Sequence, residues 1–513
     1  MKFRLEDYTI KKSIGSKIIC VLIVLAVTLG FLLFGAARWY IDVYGDVGFD
    51  AILFTLTTSK SGVQSGLIIS YIKKGLIPSL ICILLVSIIL LLKFKKRIVL
   101  NIRKKINIGI YPFTRLTALI ISLILCIVLV YNSSNAMGFT QYLKDLFIQT
   151  TLYEDEYVNP DDVEITFPEE KQNIIIIYME SMETTFFAKE QGGALDYNVI
   201  PELYQLAEEN TNFSQNDGVG GSYVMPGATW TIGALVAHNA GLPLKLPLDM
   251  DENSYTSDDF LSGATTMQNV LDEAGYYQAF MVGSDIDFGG RRQFYLEHKA
   301  DKMYDVFNAE DDGIIPEGYW VWWGMEDSYL YEYAKQELLE MADMDCPFAF
   351  SMLTVDTHHI GGYECEYCDD VYEEGYENVY ACASKQLDEF ISWCEQQDFY
   401  ENTTIVIVGD HPSMDSEYIE RNVDSDYVRR TYNCFINPVI DSEYTKNRDF
   451  CTMDMFPTIL AAIGCDIEGD RLGLGTNLFS GKETLIEEMG YKAFERELSK
   501  ASEYYTKHFL LGE

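Results

Sequence analysis

The chain has 513 residues, 48% hydrophobic and 23% charged, which excludes a disordered protein and leaves room for two or three domains. Its net charge of −40 excludes the basic face that a nucleic-acid binder needs, so no nucleic-acid partner is expected. That total hides a split. Residues 1–131 carry 17 Lys/Arg against 5 Asp/Glu, a net +12, whereas the remainder carries 21 against 73, a net −52. A basic third joined to an acidic remainder predicts two different environments.

Residues 18–37 contain no charge and are long enough to cross a hydrocarbon core of ~30 Å. Residues 75–92 and 116–131 are the next such runs, the third with Arg115 placed to snorkel at its edge. A cleaved signal peptide is not expected, because the first apolar run is too long and further spans follow. Lys2, Arg4, Lys11, Lys12 and Lys17 precede the first span. Lys93, Lys95, Lys96, Arg97, Arg103, Lys104, Lys105 and Arg115 lie between the second and third, with no acidic residue among them. The positive-inside rule puts both stretches in the cytoplasm. Three spans then carry everything after about residue 134 outside, predicting a multi-pass cell-membrane protein with an extracytoplasmic body. Residues 49–56 are apolar but too short to cross, and are expected in the interface or against the helices.

The predicted organisation is a membrane domain over 1–135, a polar, acidic linker over 136–165, an α/β domain over 166–485 and a C-terminal amphipathic helix within 486–513. In the α/β domain, residues 173–178 (NIIIIY), 277–282 (YQAFMV), 348–355 (FAFSMLTV) and 404–408 (TIVIV) are short continuous apolar runs, as in strands buried on both faces. Helical patterns fall between them, over 201–209, 264–274, 329–341, 379–397 and 453–463. Alternation of this kind predicts helices on both faces of a mainly parallel sheet.

Chemistry in such sheets gathers past the carboxyl ends of the strands. Four runs end there in polar residues: Glu180-Ser181, Gly283-Ser284-Asp285, Asp356-Thr357-His358-His359 and Gly409-Asp410-His411. Three of the six histidines fall in these segments. Glu180, Asp410 and His411 offer hard or borderline donors suited to one divalent cation, Mn²⁺, Mg²⁺ or Zn²⁺. Three such ligands leave positions open for a nucleophile and a substrate oxygen. Taken singly, Glu180 also reads as a helix cap and Asp410-His411 as a turn.

The nucleophile candidates lie in residues 220–241, where small residues and Pro226 lead into an apolar helical stretch. Thr229 or Thr231 would stand at its start, where unpaired N–H groups favour an anion. One of the two serves equally well as an N-cap. Arg291 and Arg292 follow Gly289-Gly290, and their guanidinium forks suit phosphate oxygens. His358 and His359 are candidates to protonate a leaving alkoxide or to bind phosphate. Eight cysteines lie beyond the spans. Cys365 and Cys368 have zinc-knuckle spacing, but without a second tight pair a local disulfide or free thiols is expected instead.

Seven segments in order carry a resemblance: NIIIIYMES, PELYQLAEENTNF, GATWTIGALVAHNAGLPL, TVDTH, IVIVGDHPSM, DMFPTILAAIG and RLGLGTNLFSG. Over about residues 165–485 the chain resembles the sulfatase-like, alkaline-phosphatase superfamily. More narrowly, it resembles the membrane-anchored phosphoglycerol transferases, the group of lipoteichoic acid synthase and phosphoglycerol transferase I. The resemblance implies a sulfatase-like α/β/α fold and one divalent cation, Mn²⁺ favoured, with Mg²⁺ and Zn²⁺ as alternatives. It implies that Glu180, Asp410, His411 and the threonine hold that cation. Thr231 is favoured over Thr229 by its ten-residue distance from Gly241. It further implies phosphatidylglycerol as donor, a phosphothreonine-type intermediate, and a glycan, glycolipid or polyglycerol-phosphate acceptor in the cell envelope. Arg291 and His358 match positions that hold the phosphoglycerol; Arg292 and His359 are added as substrate-binding candidates.

The sequence also departs from that group. Val282 stands where lipoteichoic acid synthases carry histidine, and Gly289 where they carry tryptophan, which implies a remodelled glycerol pocket. A sulfate-ester hydrolase is excluded, because no Cys/Ser-x-Pro-x-Arg motif stands where formylglycine would form. The alternatives are a phosphoethanolamine transferase, which typically has glycine where Met179 stands, and a catalytically inactive anchored binding protein.

Overall fold

The computed structural model describes residues 2–7, 14–45, 48–57, 65–91, 96–102, 106–110, 115–245 and 260–513. The chain divides into two units, residues 1–42 with 64–141, and residues 43–63 with 142–513. Of the basic residues that set the predicted orientation, Lys11, Lys12, Lys93, Lys95, Arg103, Lys104 and Lys105 lie outside the described residues, as does residue 92 at the end of the second predicted span.

The first unit holds three helices long and apolar enough to cross a membrane, Ile14–Tyr44, Leu67–Leu91 and Arg115–Ala136. They leave large apolar side chains uncovered, among them Leu25, Leu84 and Ile127, which water would penalise and lipid would not. Ile23, Val27, Leu90 and Ala118 form their shared core. Small residues let the first two helices approach closely. A Cβ on Gly35 would meet Ser79 Oγ at 1.9 Å. Ser79 Oγ donates to Phe31 O at 2.9 Å and to Gly75 O at 2.7 Å, so its hydroxyl is satisfied without water. The strands Lys2–Asp7, Lys96–Ile102 and Ile106–Ile110 form a three-stranded antiparallel sheet.

In the second unit, seven described strands form the central sheet: β1 (Asn173–Met179), β2 (Gly221–Ser222), β3 (Tyr277–Val282), β4 (Lys302–Tyr304), β5 (Phe348–Leu353), β6 (Thr403–Gly409) and β7 (Thr431–Ile436). Their order is β2-β7-β6-β1-β5-β3-β4. The five strands from β6 to β4 are parallel, and β7 and β2 join antiparallel at one edge. The flanking helices include α1 (Pro201–Glu209), α2 (Thr231–Ala240), α3 (Met267–Glu273), α4 (Arg291–Glu297), α5 (Asp327–Ala342), α6 (Gly375–Cys394) and α7 (Met455–Ala462).

The Ile-rich β1 is central because both of its faces are apolar. Ile175 and Ile177 enter a core shared with Leu203 of α1, Leu338 of α5 and Tyr380 of α6. The alternate residues face α2, α3 and α4, where Phe280 stacks on Tyr295 at 3.9 Å. The predicted α/β/α architecture with a mainly parallel sheet is therefore present. The four predicted strands are there, and the short β2 and β4 and the longer β7 are additions; β7 is the one of substance. Its Thr431 and Asn433 hide it from an apolar-run search, yet both are satisfied inside. Thr431 shares a hydrogen bond with Ser222 at 2.6 Å, and Asn433 Oδ1 accepts from Phe213 N at 2.9 Å.

Two further segments differ from the sequence reading. The region read as a polar, acidic linker contains the helices Phe139–Asp145 and Leu152–Glu156, and Tyr153 is fully buried against Tyr505. The single helix expected near the end is instead Leu485–Met489, Tyr491–Ser499 and the turn Tyr505–Leu510, with Gly490 at φ 83° between the first two.

Helix α2 is buried from Ile232 to Ala240. A buried amide chain clamps it to the sheet: Asn239 Nδ2 donates to Tyr178 OH at 3.0 Å, and Gln268 Nε2 to Asn239 Oδ1 at 2.6 Å. One turn of α2 also carries His238, whose Nδ1 bonds Ala234 O at 2.8 Å while Nε2 has no hydrogen-bond partner among the described residues. Burial pulls this imidazole from its ordinary 6.5 down to about 4. The unfolded chain therefore takes up the proton first as pH falls. Stability present above pH 6.5 is lost progressively down to about pH 4, by about 3 kcal/mol from this residue. Chemical denaturation of the full chain in detergent across that window should show the loss, and His238→Gln should remove about that much of it. A parallel profile for the variant would refute the assignment.

Candidate active site

Strand register builds the site. In the parallel pair β1–β6, Met179 lies opposite Gly409. The next residues, Glu180 and Asp410, thus leave the sheet side by side. Gly409 is required there, since a Cβ would come within 1.8 Å of Met182 O. On the other side of β1, Tyr178 lies opposite Leu353, so Thr354 reaches the same level and its Oγ1 accepts from Glu180 N at 3.0 Å. Ser181 takes φ 56°, a left-handed conformation that non-glycine residues rarely hold. Asp410 Oδ1 accepts from Ser181 N at 2.7 Å, and Tyr380 OH donates to Ser181 O at 2.8 Å; together they fix the turn.

Glu180, Asp410 and His411 are all buried, with one ligand atom from each lying within 4.8 Å of the others. His411 Nε2 is 3.4 Å from both Glu180 Oε1 and Asp410 Oδ2. Its Nδ1 sits 2.9 Å from Pro412 O, which makes Nδ1 the donor and leaves the Nε2 lone pair for a metal. No hydrogen-bond donor reaches the buried Asp410 Oδ2 among the described residues. Burial, and then the charge of Glu180, push Asp410 up to about 7. Burial lowers His411, but Asp410 and Glu180 outweigh it and the net direction is upward. An orphaned buried carboxylate oxygen beside a second carboxylate and an imidazole fits a divalent cation, which would offset the repulsion.

Thr231 is the first residue of α2, and its Oγ1 lies 3.4 Å from both Glu180 Oε2 and His411 Nε2. The residue before it, Trp230, makes no side-chain cap hydrogen bond to the helix. Thr229 stands two residues earlier, in the bend that enters the helix.

Arg291 is buried, with Nη2 on Ser284 Oγ at 3.0 Å and on Asp285 O at 2.7 Å, and Nε on Phe288 O at 2.9 Å. Burial lowers it to about 10 against the opposing charges of Glu180, Asp285 and Asp305. Arg292 is instead engaged by two carboxylates, Asp287 and, at 3.4 Å, Asp305. His358 bonds His359 O through Nδ1 at 2.7 Å, and the two rings stack at 4.5 Å. Burial lowers the pKa of both, His359 the more strongly.

The structure adds residues the sequence reading missed. Trp323 packs on His358 at 4.4 Å and on Phe288 at 5.3 Å, with its indole N–H buried and without a hydrogen-bond partner among the described residues. Its loop is pinned to the end of β3 by Met325 N on Gly283 O at 2.8 Å. The aromatic cluster YWVWWG over 319–324 was the available signal. Glu183, fully buried, pairs with Arg429, whose Nε donates to Oε2 at 2.8 Å. Ser413 N donates to Glu183 Oε1 at 3.0 Å, and Arg429 Nη2 to Ser413 O at 2.7 Å, so the pair holds the loop just after His411.

A parallel sheet with two carboxylates, an imidazole and a helix-borne hydroxyl at its strand ends places the chain in the alkaline-phosphatase type of architecture. The chain belongs to the Sulfatase family, whose model matches residues 172–465, more than half of it. It is similar to phosphoglycerol transferase I of Xanthomonas campestris pv. campestris (strain B100), 28% identical over 322 residues, covering 61% of this chain and 43% of that protein. The phosphoglycerol transferase I of Escherichia fergusonii is 27% identical over 329 residues, with 62% and 40% covered. The chain thus spans less than half the length of these relatives. Among solved structures, the lipoteichoic acid synthase LtaP from Listeria monocytogenes aligns at 19% identity and TM-score 0.49, over 65% of this chain and 82% of that one.

Arg429→Met leaves Glu183 charged and buried without its partner. It should lower unfolding stability by about 3 kcal/mol. The double variant with Glu183→Gln should recover part of the loss in the same denaturation measurement; equal losses in the single and double variants would refute the pairing.

Proposed function

We propose that this protein is a membrane-anchored phosphoglycerol transferase with its α/β domain on the extracytoplasmic side of the cell membrane. The donor is phosphatidylglycerol, and the acceptor is a hydroxyl of a cell-envelope glycan, glycolipid or glycerol-phosphate polymer. The observation that carries the reading is the position of Thr231 Oγ1, 3.4 Å from Glu180 Oε2 and from His411 Nε2, at the first residue of α2. The similar relatives named phosphoglycerol transferase I support the choice of head group. The orientation is supported by the antiparallel pairing of Lys2–Asp7 with Lys96–Ile102, which joins the stretch before the first span to the stretch between the second and third.

Glu180, Asp410, His411 and Thr231 would hold one divalent cation, Mn²⁺ in the favoured case. When bound, it supplies positive charge that eases ionisation of the hydroxyl and offsets the phosphoryl oxygens. The chain's own residues do the rest. Thr231 Oγ attacks phosphorus; the new bond is Thr231 Oγ–P and the broken bond is P–O to diacylglycerol. The Thr231 proton passes to the departing diacylglycerol oxygen, with His358 Nε2 as relay, since Nδ1 is committed to His359 O. The α2 N–H groups and Arg291 hold the phosphoryl oxygens. An acceptor hydroxyl then attacks the same phosphorus; the new bond is acceptor O–P, the broken bond is Thr231 Oγ–P, and the acceptor's proton passes to Thr231 Oγ. Arg292 steadies the Arg291 turn through Asp287 and Asp305, and His359 supports the His358 ring. Trp323 supplies an aromatic wall and an indole N–H for the glycerol in place of the tryptophan absent at Gly289.

Labelled lipids test this. Thr231→Ala should lower diacylglycerol release from phosphatidylglycerol about 10³-fold or more with the fold intact by circular dichroism. Turnover of phosphatidylethanolamine alone, or near-native turnover by Thr231→Ala, would overturn the proposal. Trp323→Leu should raise KM for the lipid about 3- to 10-fold with a smaller effect on kcat; an unchanged KM would remove Trp323 from the pocket.

A further inference from the structure

The pair Cys365 and Cys368 gains a third member in the folded chain. Helix α6 presents Cys382 to the turn, so that Cys365 Sγ lies 3.6 Å from Cys368 Sγ and 3.7 Å from Cys382 Sγ. All three sulfurs lie within 4.8 Å of one another. A tetrahedral zinc with Zn–S bonds of ~2.3 Å has S···S edges of ~3.8 Å, so the sulfurs already stand near three corners of that figure. We propose that Cys365, Cys368 and Cys382 bind one Zn²⁺ as thiolates, with solvent as the fourth ligand, at a site separate from the Glu180–Asp410–His411 group.

The surroundings suit such a centre. Cys365 and Cys382 are buried and Cys368 is partly exposed, so one side stays open to an entering ion. A cavity lined by Cys382, Asp369 and Lys385 adjoins the cluster and gives solvent a path to the fourth position. Gln386, one turn along α6, donates Nε2 to Cys382 Sγ at 3.2 Å and lies 3.8 Å from Cys365 Sγ; such donors stabilise metal-bound thiolates from outside the ligand set. Binding releases the thiol protons and needs neither oxidant nor reductant.

The position explains what the ion would do. Residues 360–374 connect His358 and His359 to α6. Within them Tyr363 N bonds Asp356 O at 2.8 Å and Cys368 N bonds Cys365 O at 3.1 Å, but no regular element spans the segment. Zinc would staple that segment to α6 and so fix the wall that carries His358.

The test uses the full chain in detergent, loaded with Zn²⁺ and, in parallel, with Co²⁺. The expected result is one zinc per chain that Asp410→Asn retains and that a mercurial thiol reagent releases. The cobalt form should show thiolate-to-cobalt charge-transfer bands in the near ultraviolet. Cys368→Ser, at the least buried of the three positions, should lose both the bands and that zinc equivalent while circular dichroism stays native. Absence of the bands from the native cobalt form would overturn the proposal. So would zinc on the Asp410→Asn chain that survives the thiol reagent, or peptide mapping of the untreated protein that finds Cys365 in a disulfide with Cys368 or Cys382.

Discussion

Two carboxylates that repel each other are held side by side, out of water, by the pairing of β1 with β6. The register that sets Met179 opposite Gly409 leaves Glu180 and Asp410 no freedom to separate. Burial and mutual repulsion push Asp410 up, and one of its oxygens has no donor among the described residues. That local cost has to be met by the rest of the domain, and by a cation when one is bound. The Ile-rich core of β1 meets it, since four consecutive isoleucines with under 2% exposure each contribute about 2 kcal/mol of burial.

The surrounding structure can be understood as support for that arrangement. Gly409 allows the Met182 carbonyl to close over the strand end, and Ser181 bends into a left-handed turn that Asp410 and Tyr380 hold. The Glu183–Arg429 pair braces the loop after His411 from the other side. Helix α2 is tied to β1 through Asn239 and Tyr178, so the hydroxyl of Thr231 and the carboxylate of Glu180 ride on elements joined by buried hydrogen bonds. A site assembled from a strand end and a helix start keeps its distances better than one assembled from loops.

The His358 side is built differently. It depends on loops, on the stacking of Trp323, and on a segment that runs without regular structure to α6. Here the fold leaves more latitude, and the departures at Val282 and Gly289 fall on this same side. The Glu180–Asp410–His411 group at the strand ends and the His358 wall are thus carried by different elements.

The sequence by itself determined the three long apolar helices, the α/β alternation and the four buried strands, because hydrophobic length and periodicity are local properties. It also pointed to Glu180, Asp410 and His411, because polar residues immediately after buried apolar runs are conspicuous. Only the tertiary structure decided that Thr231 Oγ1 lies beside Glu180 and His411, that Arg292 is engaged by Asp287 and Asp305, that Trp323 covers His358, and that Cys382 joins Cys365 and Cys368. Each of these depends on strand register or on the meeting of segments far apart in the chain, and no local pattern encodes the distance between such segments.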